Sequence, residues 1–455
     1  MKKTIIIFYG KFTQNMSYDW IPSGPIFVSA LLKANGFNPV IIHEFKDQNY
    51  ENIIKEHLDE LLLFGISAMT GYQIESGIRA VKILKNNRSD IPVIWGGAHA
   101  TADPLSVLKS DYADYVYVGP VKNNLIYFLS LLKNSSKEMH SVTDILFKNN
   151  VLKNIDDFRY KIQDYKIDWS GFPSFNFNDY DFSYLLTKNR VLNYTTSMGC
   201  PGNCSFCSWG GKHPWTSLSM DRILDDLEYI VSRYQLKSIW FSDSELSIKK
   251  KHLLGIAQGL IDRRIKVYWR GNARVKELSR YSKNDFKLLE QSGMDRIFIG
   301  VENINSEIQK AFKKEVQKET VFLILENMNN LQIKIMIAFI FGNVVGPSSD
   351  LEENREFINQ CLRINPNVRY QVSFYTPYPG TNLIFEAEKL GYKRPKTLEE
   401  YAKDPLFLDT SRSAKRIPWY SEIKSEEYLA KYSNLFQTVN SEPEWNWRDF
   451  SQTKL

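Results

Sequence analysis

Cys200-Pro201-Gly202-Asn203-Cys204-Ser205-Phe206-Cys207 carries three of the four cysteines in a chain of 455 residues. Thiolates are the usual ligands of iron–sulfur clusters, and a 4Fe-4S cubane ordinarily takes four of them. Three cysteines therefore leave one iron open. Gly199, Pro201 and Gly202 let the chain wrap tightly enough for all three sulfurs to reach one small object. The alternative is a zinc site, for which four closed ligands are needed and His213 is the nearby candidate for the fourth.

The loop follows a candidate strand, Val191 to Ser197, and a strand–helix rhythm runs on from there. Further strands are expected at Ser238 to Ser242, Lys266 to Arg270, Arg296 to Gly300, Lys334 to Phe341 and Arg369 to Thr376. Helices are expected at Asp221 to Tyr234, Lys249 to Arg263, Lys283 to Gln291, Val316 to Asn330 and Asp350 to Arg363. Six such units describe an open or partial α/β barrel over residues 191–385. The cysteine loop then lies at its C-terminal mouth, where catalytic loops collect. Residues 386–455 turn polar and aromatic, with Glu442-Pro443-Glu444-Trp445-Asn446-Trp447 near the end, and are expected to form a small helical cap with a disordered tail. Cys361, inside a helical pattern, is expected to be a packed small hydrophobe.

Upstream, residues 1–135 alternate short apolar runs with amphipathic stretches. Strands are expected at Thr4 to Phe8, Pro39 to His43, Leu63 to Ser67, Val93 to Trp95 and Tyr115 to Val118. Helices are expected at Ile26 to Asn35, Asn49 to Leu58, Tyr72 to Asn86 and Asn123 to Leu132. This order implies a parallel sheet covered on both faces, with ligands beyond the carboxyl ends of the strands. The loops there are Ser23-Gly24-Pro25, Ser67-Ala68-Met69-Thr70-Gly71, Gly96-Gly97-Ala98-His99-Ala100-Thr101 and Val118-Gly119-Pro120. Their glycines either make turns or let the backbone approach a bulky ligand. Residues 136–190, with Trp169-Ser170-Gly171-Phe172-Pro173 and Asn176 to Phe182, are expected to be an irregular connector.

The length fits two or three domains. Apolar residues make up 43% and charged residues 24%, which is ordinary for a soluble globular chain. A net charge of +6 from 58 basic and 52 acidic residues, without a long Lys/Arg run, does not point to nucleic acid. The apolar run after Lys3 is too short for a signal peptide core or a membrane span, and it reads as a buried first strand. No apolar stretch of about 18 residues occurs, so a cytoplasmic protein is expected, in a compartment that keeps the thiols reduced.

Cys-x3-Cys-x2-Cys with Phe206 before the last cysteine resembles the signature of the radical SAM superfamily. The resemblance implies a 4Fe-4S cluster on Cys200, Cys204 and Cys207. Its open iron would chelate S-adenosylmethionine (SAM), which on reduction yields methionine and a 5′-deoxyadenosyl radical. It further implies that Asp243 and Glu245, at the second strand's end, meet the methionine ammonium. Arg270, Asn272 and Arg274, following the third, would meet the carboxylate. Gly300 and Glu302, in a turn similar to the family's Gly-Val-Glu-Ser, would meet the nucleoside or amine. Singly, each acid or arginine reads better as a surface ion pair. Their joint placement points to a site.

Phe374-Tyr375-Thr376-Pro377-Tyr378-Pro379-Gly380-Thr381 resembles a segment of radical SAM proteins with an N-terminal cobalamin-binding domain. The Ser67–Gly71, Gly96–Thr101 and Asp114–Gly119 stretches resemble that domain itself. Cobalamin contacts are implied for Ser23, Gly24, Ser67, Met69, Thr70, Gly96, Gly97, His99 and Gly119. The implied fold is α/β: an N-terminal Rossmann-like parallel sheet of cobalamin-binding type, a partial (β/α)6 radical SAM barrel and a small C-terminal helical region. Two features depart from the family pattern. No Asp-x-His-x-x-Gly surrounds any of the six histidines, and Gly119-Pro120-Val121-Lys122 stands where Gly-Glu-Gly-Glu is common. His99 is either corrinoid-facing or a satisfied loop histidine.

The implied activity is a cobalamin-dependent radical SAM methyltransferase that moves a methyl group from SAM via methylcobalamin to an unactivated carbon of a small molecule or peptide. The corrinoid would lie in the cleft between domains, and flavodoxin or ferredoxin would supply electrons. A non-methylating cyclisation or rearrangement, or a non-catalytic corrinoid carrier or sensor, are the alternatives. Methylthiotransferases usually bring three more N-terminal cysteines, and none precedes Cys200 here. Trp209, Trp215 and Tyr375 could line an aromatic substrate cavity or simply pack.

Overall fold

The computed structural model describes residues 3–12, 21–148, 151, 180, 191–208, 213–346, 350–408 and 417–439. The chain divides into two compact units, residues 1–184 with 393–409 and residues 185–392 with 410–455.

The first unit is built on β1 (Thr4–Tyr9), β2 (Asn38–His43), β3 (Leu61–Ser67), β4 (Val93–Gly96), β5 (Tyr115–Tyr117) and β6 (Ile145–Phe147), in the order β2-β1-β3-β4-β5-β6. The first five are parallel. Every residue of β1 is buried, as a strand covered by helices on both faces requires. The helices Ser23–Ala34, Tyr50–Glu56, Tyr72–Asn87 and Asn124–Lys133 supply that cover. The order reverses between β1 and β3, and in such sheets ligands enter the crevice outside the carboxyl ends of the strands at that point.

The strand–helix rhythm gives these elements, and the structure corrects three details. Ser23 and Gly24 open the helix Ser23–Ala34 rather than lying in a loop. Pro25 is tolerated in its first turn, where the amides have no intrahelical partner. Beyond Gly96 and Gly97 the expected loop is helical, at Ala98–Ala102 and Pro104–Lys109. Antiparallel β6 is too short to announce itself in the sequence, yet Phe147 packs edge-on against Tyr115 with ring centroids 5.2 Å apart. The expected connector lies outside the described residues from 152 to 179 and from 181 to 190.

In the second unit β7 (Val191–Tyr194), β10 (Ser238–Phe241), β11 (Tyr268–Arg274), β12 (Met294–Glu302), β13 (Lys334–Phe341) and β14 (Val368–Phe374) form one parallel sheet in the order β14-β13-β12-β11-β10-β7. Each strand pairs with its predecessor in this sheet, the pattern of a partial barrel built by repeated right-handed crossovers. Crossover helices include Met220–Tyr234, opened by a Ser219 cap, and Lys283–Gln291, opened by a Ser282/Asp285 capping box.

The cysteine loop does not follow β7 directly. After Tyr194 the chain enters a separate antiparallel pair, β8 (Ser197–Cys200) and β9 (His213–Ser217), and the loop joins the two. The third barrel strand runs to Arg274 rather than stopping at Arg270, because Trp269-Arg270-Gly271-Asn272-Ala273-Arg274 pairs along β12 despite its polar composition. The segment expected as one C-terminal cap is divided: residues 393–409 pack with the first unit, and the helix Glu422–Val439 belongs with the second. Residues 440–455, including the expected tail, lie outside the described residues.

Candidate functional site

At the carboxyl edge of the first unit's sheet, the turn after β3 and the helix start after β4 lie side by side. Gly97 has φ 91°, and a Cβ there would stand 2.8 Å from the Ala68 carbonyl oxygen. Only glycine fits. Met69 is 49% exposed, an apolar side chain held open on this edge. Ser67, Thr70, Gly96 and Gly119 are half-buried around it. Gln73, which nothing in its local sequence marks, is buried and clamps the two loops at the switch point. Its Oε1 accepts the Met69 N–H at 2.8 Å and its Nε2 donates to the Gly10 carbonyl at 2.8 Å. An exposed thioether beside a glycine turn suits the apolar face of a flat macrocycle such as a corrinoid.

His99 resolves as the satisfied histidine. It is fully buried, with Nδ1 2.9 Å from Thr70 Oγ1 and Nε2 3.2 Å from Ser106 Oγ. The Tyr401 ring packs edge-on at 4.7 Å, and Tyr401 donates to Asp103 Oδ2 at 3.0 Å. Burial pushes the imidazole down to about 4, with Asp103 opposing, so the ring is neutral at ordinary pH. Gly119 donates its N–H to Thr101 Oγ1 at 3.0 Å, which uses that amide within the protein. Ser23 and Gly24 stand in a helical first turn.

In the second unit Asp243, just past β10, is fully buried. It accepts the Thr196 N–H at 3.1 Å, the Thr196 hydroxyl at 2.7 Å and the Ser197 hydroxyl. Its carboxylate thus anchors the base of the cysteine hairpin and does not face the mouth. Burial pushes its pKa up, and those hydrogen bonds pull it back. Arg270 is likewise placed elsewhere. It is fully buried three residues into β11, near the strand's amino end, with Nη2 2.7 Å from Asp295 Oδ2. Asn272 donates to the Asp243 carbonyl at 3.4 Å.

The remaining residues converge on the cysteine loop. The loop is moored through Ser205, whose N–H donates to the Phe312 carbonyl at 3.0 Å, whose hydroxyl donates to the Ala311 carbonyl, and whose own carbonyl accepts the Leu383 N–H at 3.0 Å. Within the loop Cys207 N–H reaches the Cys204 carbonyl at 3.1 Å, and Gly202 N–H points at Cys200 Sγ from 3.4 Å. Arg274, the last residue of β11, brings Nη1 to 3.7 Å from the same sulfur. Phe206 packs on Phe312 with centroids 4.8 Å apart.

Glu302 ends β12 at φ 70°, the left-handed region, where the register with β13 slips between Gly300 and Glu302. A bulge of this kind re-aims a side chain at the cost of backbone strain. The carboxylate meets Lys314 Nζ at 2.7 Å, and a Cβ on Gly300 would stand 2.6 Å from that ammonium. Lys314 is invisible to motif reading, because it lies 12 residues beyond Glu302 and is brought back only by the intervening helix. Glu245 is buried, and its Oε1 accepts the Ser247 N–H at 2.8 Å and the Ser247 hydroxyl. Burial pushes its pKa up to about 7, opposed by Ser247, Arg274 and Lys314.

These groups fit an iron–sulfur cluster. Burial raises the Cys204 thiol, while Lys314 and Arg274 draw it back toward thiolate. An amide and a guanidinium address Cys200, the donors and positive charge that thiolate ligands favour. Among the described residues no group of three or more His, Cys, Asp or Glu side chains is placed to hold a single metal ion. The side chain of His213 and all of Trp209 lie outside the described residues. Trp215 packs on His252 at 5.3 Å and Tyr375 on Trp419 at 5.4 Å, so these two do not share one aromatic cluster. Cys361 is fully buried, its thiol pushed up to about 12 by burial. No described helix is long and apolar enough to cross a membrane.

The sequence matches the B12 binding domain family over residues 12–126 and the Radical SAM superfamily over residues 194–361. An uncharacterised methyltransferase of Pyrococcus horikoshii is 24% identical over 325 residues, 70% of this chain and 68% of that protein. The anaerobic magnesium-protoporphyrin IX monomethyl ester cyclase of Rubrivivax gelatinosus is 23% identical over 83% of this chain and 70% of its own length. In fold, the chain resembles the radical S-adenosylmethionine methyltransferase TsrM of Kitasatospora setae, solved with cobalamin and a [4Fe-4S] cluster bound. The TM-score is 0.71 at 12% identity, covering 97% of this chain and 90% of that one.

Proposed function

The chain belongs to the Radical SAM superfamily and carries a B12 binding domain, which makes it a cobalamin-dependent radical SAM enzyme using a 4Fe-4S cluster, and from that premise we propose that it is a methyltransferase acting on an unactivated carbon of a small molecule or peptide. The observation that carries the proposal is the joining of an intact three-cysteine loop, flanked by Arg274, Glu302 and Glu245, with a B12 binding domain in a relative of methyltransferases. When bound, the cluster and SAM supply a 5′-deoxyadenosyl radical and the corrinoid supplies a transferable methyl group.

Cys200, Cys204 and Cys207 would hold the cluster, with the amino acid end of SAM binding beside them. Arg274, whose planar fork matches a carboxylate and which lies beside Cys200, would take the SAM carboxylate. Glu302 and Glu245 would accept hydrogen bonds from the SAM amino group, and Phe206, packed on Phe312, would help to shield the cluster from water. In the first unit Met69 would offer an apolar contact to the corrinoid, and Gly97 would let the backbone stay close to it. With both nitrogens of His99 engaged, it would not be free to serve the corrinoid as a ligand. A flavodoxin or ferredoxin, to pass an electron to the cluster, and a cytoplasmic location, which keeps the cysteine thiols from forming disulfides, complete the proposal.

The test is anaerobic incubation of reconstituted, cobalamin-loaded protein with methyl-labelled SAM and reductant. Label recovered in the cobalamin fraction supports methyl transfer. Cleavage of SAM without label in that fraction favours the second reading, a cyclisation or rearrangement, for which the Rubrivivax cyclase relative speaks.

A further inference from the structure

Among the described residues, Lys314 is a charged side chain at the cysteine loop that no motif marks, and its surroundings are built around it. The residue is 9% exposed. Its backbone leaves the helix Ser306–Phe312 through Lys313 at φ 51°, and its N–H donates to the Gln309 carbonyl at 3.1 Å. The Gln309 side chain fixes the rest of the turn: Nε2 donates to the carbonyls of Asn303 and Val316 at 3.0 Å each, and Oε1 accepts the Val316 N–H at 3.0 Å. One buried amide therefore ties the lysine turn to the residue after Glu302. The ammonium is delivered 2.7 Å from Glu302 and 5.9 Å from the centre of the Phe206 ring, and it is the leading positive influence on the Cys204 thiol.

We propose that Lys314 is a positioning residue that sets the reduction potential of the cluster and holds Glu302 in its strained conformation. This rests on the cluster lying on Cys200, Cys204 and Cys207. Accepting one electron adds a negative charge at the cluster, and a fixed cation nearby favours that reduced form. Glu302 is the opposing charge. Its carboxylate moderates the ammonium and is itself pinned by it, so the two residues act on the potential with opposite signs.

The experiment is an anaerobic redox titration of the reconstituted full chain, followed by the electron paramagnetic resonance signal of the reduced cluster. Lys314→Met is expected to lower the ratio of reduced to oxidised cluster at a fixed potential about tenfold, which for one electron is about 59 mV. Lys314→Arg is expected to stay near wild type, and Glu302→Gln to raise the ratio. If Lys314→Met takes up no cluster, Glu302→Gln decides alone. Wild-type cluster content with an unmoved potential, or shifts of the same sign in Lys314→Met and Glu302→Gln, would overturn the inference. Wild-type protein without iron and sulfide would instead remove the cluster assignment beneath it.

Discussion

Arg274 lays its guanidinium over the α-carbon of Gly202, so close that a Cβ on Gly202 would overlap Nη1. The same nitrogen lies 3.7 Å from Cys200 Sγ. A glycine in the cysteine loop and an arginine ending the third barrel strand are thus fitted to each other, and the loop's position at the mouth depends on both.

Gly202→Ala should therefore behave as an arginine variant. The far end of a flexible side chain can move aside, so global stability should change by less than about 1 kcal/mol. Arg274 would be displaced from Cys200, and SAM binding should weaken about 10- to 100-fold, as in Arg274→Met. Equilibrium binding of SAM to both reconstituted variants checks this. Unchanged affinity in Gly202→Ala beside a loss in Arg274→Met would show that the packing of the two residues does not matter.

Glu245 gives binding a pH dependence. Its folded pKa is raised by burial to about 7, so the carboxyl is protonated below that value and charged above it. Attraction for the SAM amino group should be lost as pH falls from about 8 to about 6, weakening binding several-fold. In Glu245→Gln the affinity should be low throughout and the part of the pH profile centred near 7 should be lost. A wild-type profile that rises toward acid would refute the role.

His99 should matter to stability and not to cobalt. Removing a fully buried ring with two hydrogen bonds, in His99→Ala, should cost about 2–4 kcal/mol. In cob(II)alamin bound to the wild type, 15N-histidine labelling should leave the hyperfine pattern of the paramagnetic resonance spectrum unchanged. A change on labelling would mean that an imidazole reaches the metal.

The cysteine motif and the strand–helix rhythm are legible in the sequence because both are local: ligand spacing lies within eight residues, and apolar periodicity within single elements. Asp243 and Glu245 show where local reading stops. They are two residues apart at one strand end, and only Thr196 and Ser197, brought in by the hairpin, take Asp243 out of the mouth. Arg270 sits near the amino end of its strand because β11 continues through a polar, glycine-containing stretch whose pairing with β12 no single-strand pattern reveals. His99 stays open between a corrinoid-facing group and a satisfied histidine until Thr70, Ser106 and Tyr401 are in place around it, and Tyr401 arrives from a segment about 300 residues later. Lys314 and Gln73 reach their partners only through folding, and nothing in their neighbourhoods in the chain distinguishes them.

The most direct measurement is of 5′-deoxyadenosine. Reconstituted protein, reduced anaerobically with SAM present, should release 5′-deoxyadenosine and methionine in equal amounts, and Cys204→Ala should release neither. A wild type that carries its full complement of iron and sulfide, binds SAM and still yields no 5′-deoxyadenosine would contradict SAM cleavage at Cys200, Cys204 and Cys207.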